Sequence, residues 1–105
     1  IRCMAPSPAT AANYSYFPIV VESHFPLSRD GLYHYLREHG ILVRRYFYPL
    51  ISDFPMYAHL PSSAPANLPF AQSVASKILC LPIYPALEPQ DLDRITDLLF
   101  QAGKT

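Results

Sequence analysis

SRDGLYHYLREHGILVRRYFYPL, residues 28–50, decides the fold. Ser28 suits a helix N-cap, because its short hydroxyl accepts a hydrogen bond from an early helical N–H. Leu32, Tyr35, Leu36 and His39 recur at helical spacing. Gly40 stands where a helix commonly ends in left-handed backbone. The stretch predicts a helix over 29–39. Ile41, Leu42 and Val43 follow at once as a short buried strand, which runs into Arg44-Arg45-Tyr46-Phe47-Tyr48-Pro49. A helix that feeds straight into a strand points to a chain in which helices and sheet alternate.

Upstream, Tyr14 to Val21 is aromatic and β-branched, which predicts a strand. Pro18 cannot donate to a sheet ladder, so an edge position or a bulge is expected there. Residues 1–13, with Pro6, Pro8 and several alanines, read as a linker or arriving segment, and 14–103 as the folded domain. The chain begins at Ile1 with Met4 inside it, which suggests a piece of a longer polypeptide. Downstream, residues 49–66 hold four prolines and read as a long ordered loop, since Phe54, Met56, Tyr57 and Leu60 give it apolar anchors. Asn67 is the expected cap of a second helix, with Phe70, Val74 and Ile78 near one face and Lys77 in the last turn. Ile78 to Leu81 predicts a strand. Pro89 at the first helical position, Glu88 before it and Asp91 in the first turn signpost a last helix. Leu87 and Leu92 are placed as a hydrophobic staple, Leu92, Ile95, Leu98 and Leu99 as the buried face, and Gly103 as the end. The predicted order is β-α-β-loop-α-β-α. It implies an α/β chain of the two-layer α+β kind, a small sheet with helices on one face.

The composition sets limits on function. The chain has 105 residues and 11.9 kDa, which is one domain able to bury a core without metals or disulfides. Eight basic and eight acidic residues give zero formal net charge, so nucleic acid and anionic membranes are not expected partners. Apolar residues make up 50% and charged residues 15%, which argues against disorder. No apolar run approaches the ~18 residues of a transmembrane helix, and no signal-peptide pattern is present. Cys3 reads as a free thiol and Cys80 as a small buried hydrophobe, and a cytoplasmic location is the expectation.

Chemistry concentrates in Arg44-Arg45-Tyr46-Phe47-Tyr48. On an extended strand Arg44, Tyr46 and Tyr48 would share one face, and Arg45 and Phe47 the other. Two arginines beside three aromatics suit a ligand with a phosphate and a ring. The same residues could equally be a strand end whose arginines are solvated or paired and whose aromatics fill the core. The four histidines lack metal-ligand spacing, Asp91, Asp93 and Asp97 read as a solvated helix face, and no glycine-rich phosphate loop exists. Ser15 and Ser28 lack a nucleophile context, and no nucleophile–base pair stands at a defined spacing, so no catalytic residue is assigned. Lys77 and Lys104 are the only lysines, and neither context resembles a desolvated Schiff-base lysine.

Three blocks in order, NYSYFPIVV (13–21), SRDGLYHYLREHGILVRRYFYPL (28–50) and NLPFAQSVASKILCLPIYPALEPQDLDRI (67–95), resemble the C-terminal small domain of the DegT/DnrJ/EryC1/StrS aminotransferases. The specific parts are GI-x-x-R-x-YF-x-PL and LCLPIYP-x-L. The resemblance implies a fold-type I enzyme dependent on pyridoxal phosphate (PLP). Such an enzyme moves an amino group from an amino-acid donor, commonly glutamate, to a keto group on a nucleotide-linked sugar, and it works as a homodimer. It also implies that the large N-terminal domain, which supplies the cofactor's lysine, is outside these residues, so that this chain alone neither binds the cofactor nor transaminates. Tyr46 and Phe47 would then sit beside cofactor and sugar, and Arg44 or Arg45 would meet a diphosphate or carboxylate. The YF variant resembles the subgroup acting on dTDP-linked sugars. Loop 49–66 would dock on the missing domain or on a partner subunit. The alternative is a stand-alone, non-catalytic α/β binding or regulatory module.

Overall fold

Ser28 Oγ accepts a 3.1 Å hydrogen bond from the Gly31 N–H and so starts helix α1, Arg29–Glu38. The helix stops because Gly40 takes left-handed backbone, φ 79°. The Gly40 N–H then donates to Arg37 O at 3.0 Å and the Ile41 N–H to Leu36 O at 2.9 Å. This reciprocal pair satisfies the last carbonyls and turns the chain back over its own helix. The computed structural model describes all residues, 1–105.

Four short strands form one sheet: β1 (Arg2–Cys3), β2 (Phe17–Val20), β3 (Arg44–Arg45) and β4 (Ile78–Leu81). Their order is β1-β2-β4-β3, and every pairing is antiparallel. The architecture is therefore α+β, with α1 and α3 (Pro89–Lys104) on one face of the sheet. The second helix, α2 (Pro69–Ala75), stands apart from that core.

The register explains the core. Ile19 pairs with Leu79, and both point at the helices, where they meet Leu32 and Leu36 of α1 and Ile95, Leu98 and Ala102 of α3. Each fully buried Leu or Ile contributes about 1.5–3 kcal/mol. Val20, Ile78 and Cys80 alternate to the other face and are buried there. Arg94 Nη2 donates to His39 O at 2.6 Å and ties α3 to the end of α1.

Several sequence expectations shift. The arriving segment contributes β1, which extends the sheet beyond β2. The strand expected over 14–21 narrows to 17–20, since Tyr14 adopts left-handed backbone, φ 57°. Pro18 lies in a strand with neighbours on both sides, yet β1 reaches only Ile19 and Val20, so one edge is open at Pro18. The expected strand 41–43 begins three residues later, at Arg44–Arg45. The Ile41 N–H is spent on the helix end, and the Val43 N–H bonds Ile41 O in a tight turn. Ile41 and Val43 are still buried. On α1, His39 lies at the surface against Tyr35, and Arg29 is buried in its stead.

Helix α2 departs most. Leu68, not Asn67, precedes it, and the Asn67 amide donates to Pro61 O instead. It ends at Ala75, so Lys77 follows it. None of its residues is buried, and Phe70 is 85% exposed. On α3, Leu92 is also exposed, and Ala102 takes the buried position beyond Leu98. The Glu88 N–H donates to the Asp91 carboxylate at 3.2 Å, as the sequence signposts suggested.

Candidate functional site

Strand β3 ends at Arg45, and the chain then leaves the sheet in a turn. Phe47 sits in left-handed backbone, φ 45°. That region costs a non-glycine residue about 1–2 kcal/mol. The turn breaks strand alternation, so the face assignment expected from an extended strand fails beyond Arg45. The five residues Arg44 to Tyr48 border one cavity, and their side chains take part in two sets of contacts.

The first cluster is ionic. Arg45 Nε donates to Asp30 Oδ1 at 2.7 Å, and its guanidinium lies 4.1 Å from the Tyr33 ring centroid and 5.2 Å from that of Tyr48. Arg29 joins from the start of α1. Its Nε is 2.9 Å from the same Asp30 oxygen, and its guanidinium is 4.7 Å from the Tyr48 centroid. That contact is an ion pair only, because the Nε–H is not aimed at the carboxylate. Arg29 Nη1 donates to Ala75 O at 2.8 Å, which places a cation at the C-terminal end of α2. This bond and a 3.2 Å bond from Gln72 Nε2 to Asp53 Oδ1 moor α2, none of whose side chains is buried.

The second cluster is aromatic. The Tyr46 ring meets Tyr16 edge-on at 5.2 Å and Phe47 at 4.5 Å. Arg44 makes no ion pair. Tyr16, Arg44, Arg45, Tyr46, Phe47 and Tyr48 border a cavity of about 260 Å³ that reaches Cys80. Phe47 and Tyr48 also border a second, apolar cavity of about 480 Å³ with Leu50, Phe54 and Leu68. These two side chains form the ridge between the depressions.

The ionisable groups that the fold shifts are moved away from neutrality. Partial burial raises the Asp30 carboxyl, but the hydrogen bond from Arg45 and the charges of Arg29 and Arg45 outweigh it and hold it below the usual range. The Arg2 hydrogen bond holds Glu22 down, against a smaller opposing effect of burial. Burial pushes the Cys80 thiol up, with Arg44 opposing. None of these three is poised for proton transfer at neutral pH. The arrangement offers binding surface and one free guanidinium. No three His, Cys, Asp or Glu side chains gather as a metal-binding group, and no helix is long and apolar enough to cross a membrane.

All five residues singled out in the sequence, Arg44 to Tyr48, border one cavity, and Arg45 and Tyr48 in addition join the ionic cluster. Sequence reasoning missed Arg29, Asp30, Tyr33 and Tyr16. One signal existed: Arg29, Tyr33 and Arg37 recur every fourth residue, a spacing that stacks side chains on one helix face. The Arg37 guanidinium is indeed 5.3 Å from the Tyr33 centroid.

Comparison with known proteins places this chain. It is 53% identical over 90 residues to a dTDP-4-amino-4,6-dideoxy-D-glucose transaminase of Escherichia coli, covering 86% of this chain and 24% of that protein. It is 43% identical over 99 residues to the Shigella dysenteriae protein of the same name, covering 94% and 26%. A GDP-perosamine synthase of Vibrio cholerae is 32% identical over 81 residues, covering 77% and 21%. The chain thus spans about a quarter of the length of these relatives. No solved structure matches it. The family model for the DegT/DnrJ/EryC1/StrS aminotransferases matches residues 2–100, so the aromatic ridge, the ionic cluster and the whole sheet lie inside the matched region. The chain belongs to the DegT/DnrJ/EryC1/StrS aminotransferase family.

Proposed function

We propose that these residues are the C-terminal small domain of a PLP-dependent aminotransferase that transfers an amino group to a nucleotide-linked keto-deoxysugar. We take the amino donor to be glutamate and the whole protein to be a cytoplasmic homodimer. Two relatives named as dTDP-sugar transaminases and one named as a GDP-perosamine synthase support the substrate class. The observation that carries the reading is the pairing of this family match with an exposed aromatic ridge beside the unpaired Arg44. A ridge of rings suits the apolar face of a sugar, and a free guanidinium suits a diphosphate oxygen.

The chain's own residues do not fit as the holder of PLP. A lysine that bonds a carbonyl needs desolvation or a cationic neighbour to lower its pKa. Lys77 is half-exposed beyond α2 with the Glu22 carboxylate for charged company, and Lys104 is exposed at the end of α3. In this reading PLP and the lysine that holds it belong to the rest of the protein, and the present residues bind and orient the sugar. Loop 49–66 and the bare face of α2 then dock on that remainder or on a partner subunit.

Tyr46→Ala in the full-length enzyme tests the reading. The expected result is a fall of about tenfold or more in kcat/KM for the nucleotide sugar, with the absorbance of bound cofactor unchanged. An unchanged specificity constant in a folded variant overturns the role of Tyr46 and the aromatic cluster it joins.

A further inference from the structure

Asp30 is the single anion among two cations and a ring. Its Oδ1 lies 2.9 Å from Arg29 Nε and 2.7 Å from Arg45 Nε. Those same two guanidinium groups lie over the Tyr48 ring, 4.7 and 5.2 Å from its centroid. Two like charges gathered on one ring repel each other unless an anion sits between them. Asp30 supplies that charge. Each arginine is also held from outside the trio. Arg29 is 5% exposed and donates to Ala75 O, and Arg45 rests on Tyr33. Tyr48 by contrast is 53% exposed and projects onto the ridge between the two cavities. Its ring is therefore oriented from below by two guanidinium groups whose repulsion Asp30 partly offsets, and is open above.

We propose that Asp30 is a positioning residue for sugar recognition, acting through Arg29 and Arg45 to fix the Tyr48 ring in the wall of the substrate cleft. The inference rests on the nucleotide-sugar reading above and adds to it the device that sets one wall residue. The Asp30–Arg45 pair is partly exposed and is worth about 0–1 kcal/mol. Arg29 is buried, so removal of its counter-ion costs more than that. Positioning is therefore separated from a structural role by kinetics on variants whose folding is first checked by circular dichroism and cofactor absorbance.

The test uses the full-length holoenzyme with its nucleotide sugar, and four forms: Asp30→Asn, Asp30→Glu, Tyr48→Ala and the double variant Asp30→Asn/Tyr48→Ala. Asp30→Asn should raise KM for the sugar about 10-fold, with the amino-donor KM and the cofactor absorbance unchanged. Asp30→Glu should recover most of the loss. In the Tyr48→Ala background, Asp30→Asn should add nothing, since the ring it positions is gone. Positioning is overturned if Asp30→Asn leaves the sugar KM unchanged while Tyr48→Ala raises it. It is equally overturned if Asp30→Asn has its full effect without Tyr48. If Tyr48→Ala itself leaves the sugar KM unchanged, the assignment of this ridge to the sugar cleft fails, and the positioning role falls with it.

Discussion

Arg45 Nε donates a 2.7 Å hydrogen bond to Asp30 Oδ1, joining the last residue of β3 to the first turn of α1. Arg44, one residue earlier, stands opposite Cys80 where Arg45 stands opposite Leu79; both border the cavity over Cys80, but Arg44 makes no ion pair. Two adjacent arginines thus have different fates. One is consumed by an internal carboxylate and two aromatic faces, and the other stays free for a ligand.

That division predicts different salt responses in the full-length enzyme. Arg44→Ala should raise KM for the nucleotide sugar about tenfold, the value of one hydrogen bond to a charged group. It should also flatten the rise of KM with ionic strength, because the lost contact is a screened charge pair. Arg45→Ala should keep the wild-type salt dependence. Steady-state kinetics at low and high salt check this. Equal flattening in both variants would show that Arg45, too, meets the anion.

Acid should loosen the ionic cluster. The Asp30 carboxyl titrates below its ordinary value of 3.8 when folded, because the Arg45 bond and the nearby guanidinium charges overcome partial burial. A depressed folded pKa adds stability above the unfolded value, and that stability disappears as pH falls through the folded one. Glu22, held down by Arg2, acts in the same direction. Urea unfolding should therefore show wild-type stability dropping below about pH 4. Asp30→Asn should remove part of that slope and lower stability at pH 7 by more than an exposed ion pair would, because it strips the buried Arg29 of its counter-ion. A slope identical to wild type would mean that Asp30 and the arginines do not interact in solution.

The elements that could be read from the sequence are those whose signals are local. Ser28 and Gly40 bracket α1 because a cap hydroxyl and a left-handed glycine act within one turn. Glu88, Pro89 and Asp91 start α3 for the same kind of reason. Misplaced features depended on partners distant in sequence. The strand after α1 starts three residues late because Ile41 donates back to Leu36, leaving Arg44 as the first residue to pair with β4. Arg45 and Tyr48 border the cavity with Arg44 but also contact Arg29 and Asp30, about fifteen residues upstream, which no local pattern announces. The aromatic ridge itself was legible as composition, and its division into two clusters was not, since Phe47 breaks the alternation with a positive φ that no sequence pattern announces.

Helix α2 supplies the remaining expectation. Half of the chain's residues are apolar, yet only 14 of 105 are buried. The Cα radius of gyration is 15.7 Å, whereas a compact chain of this length has about 13 Å. Phe70 stands 85% exposed on a helix held to the body by the Arg29–Ala75 bond. An apolar face of this kind marks an interface. If it docks on the rest of the protein, Phe70→Ala in the full-length enzyme should cost about 2 kcal/mol or more, as for a phenylalanine taken out of water. If the face stays in water, the change should fall within about 0.5 kcal/mol. Denaturant midpoints of the two full-length proteins decide between these values. The smaller one would leave α2 an exposed arm and remove the support it gives to docking.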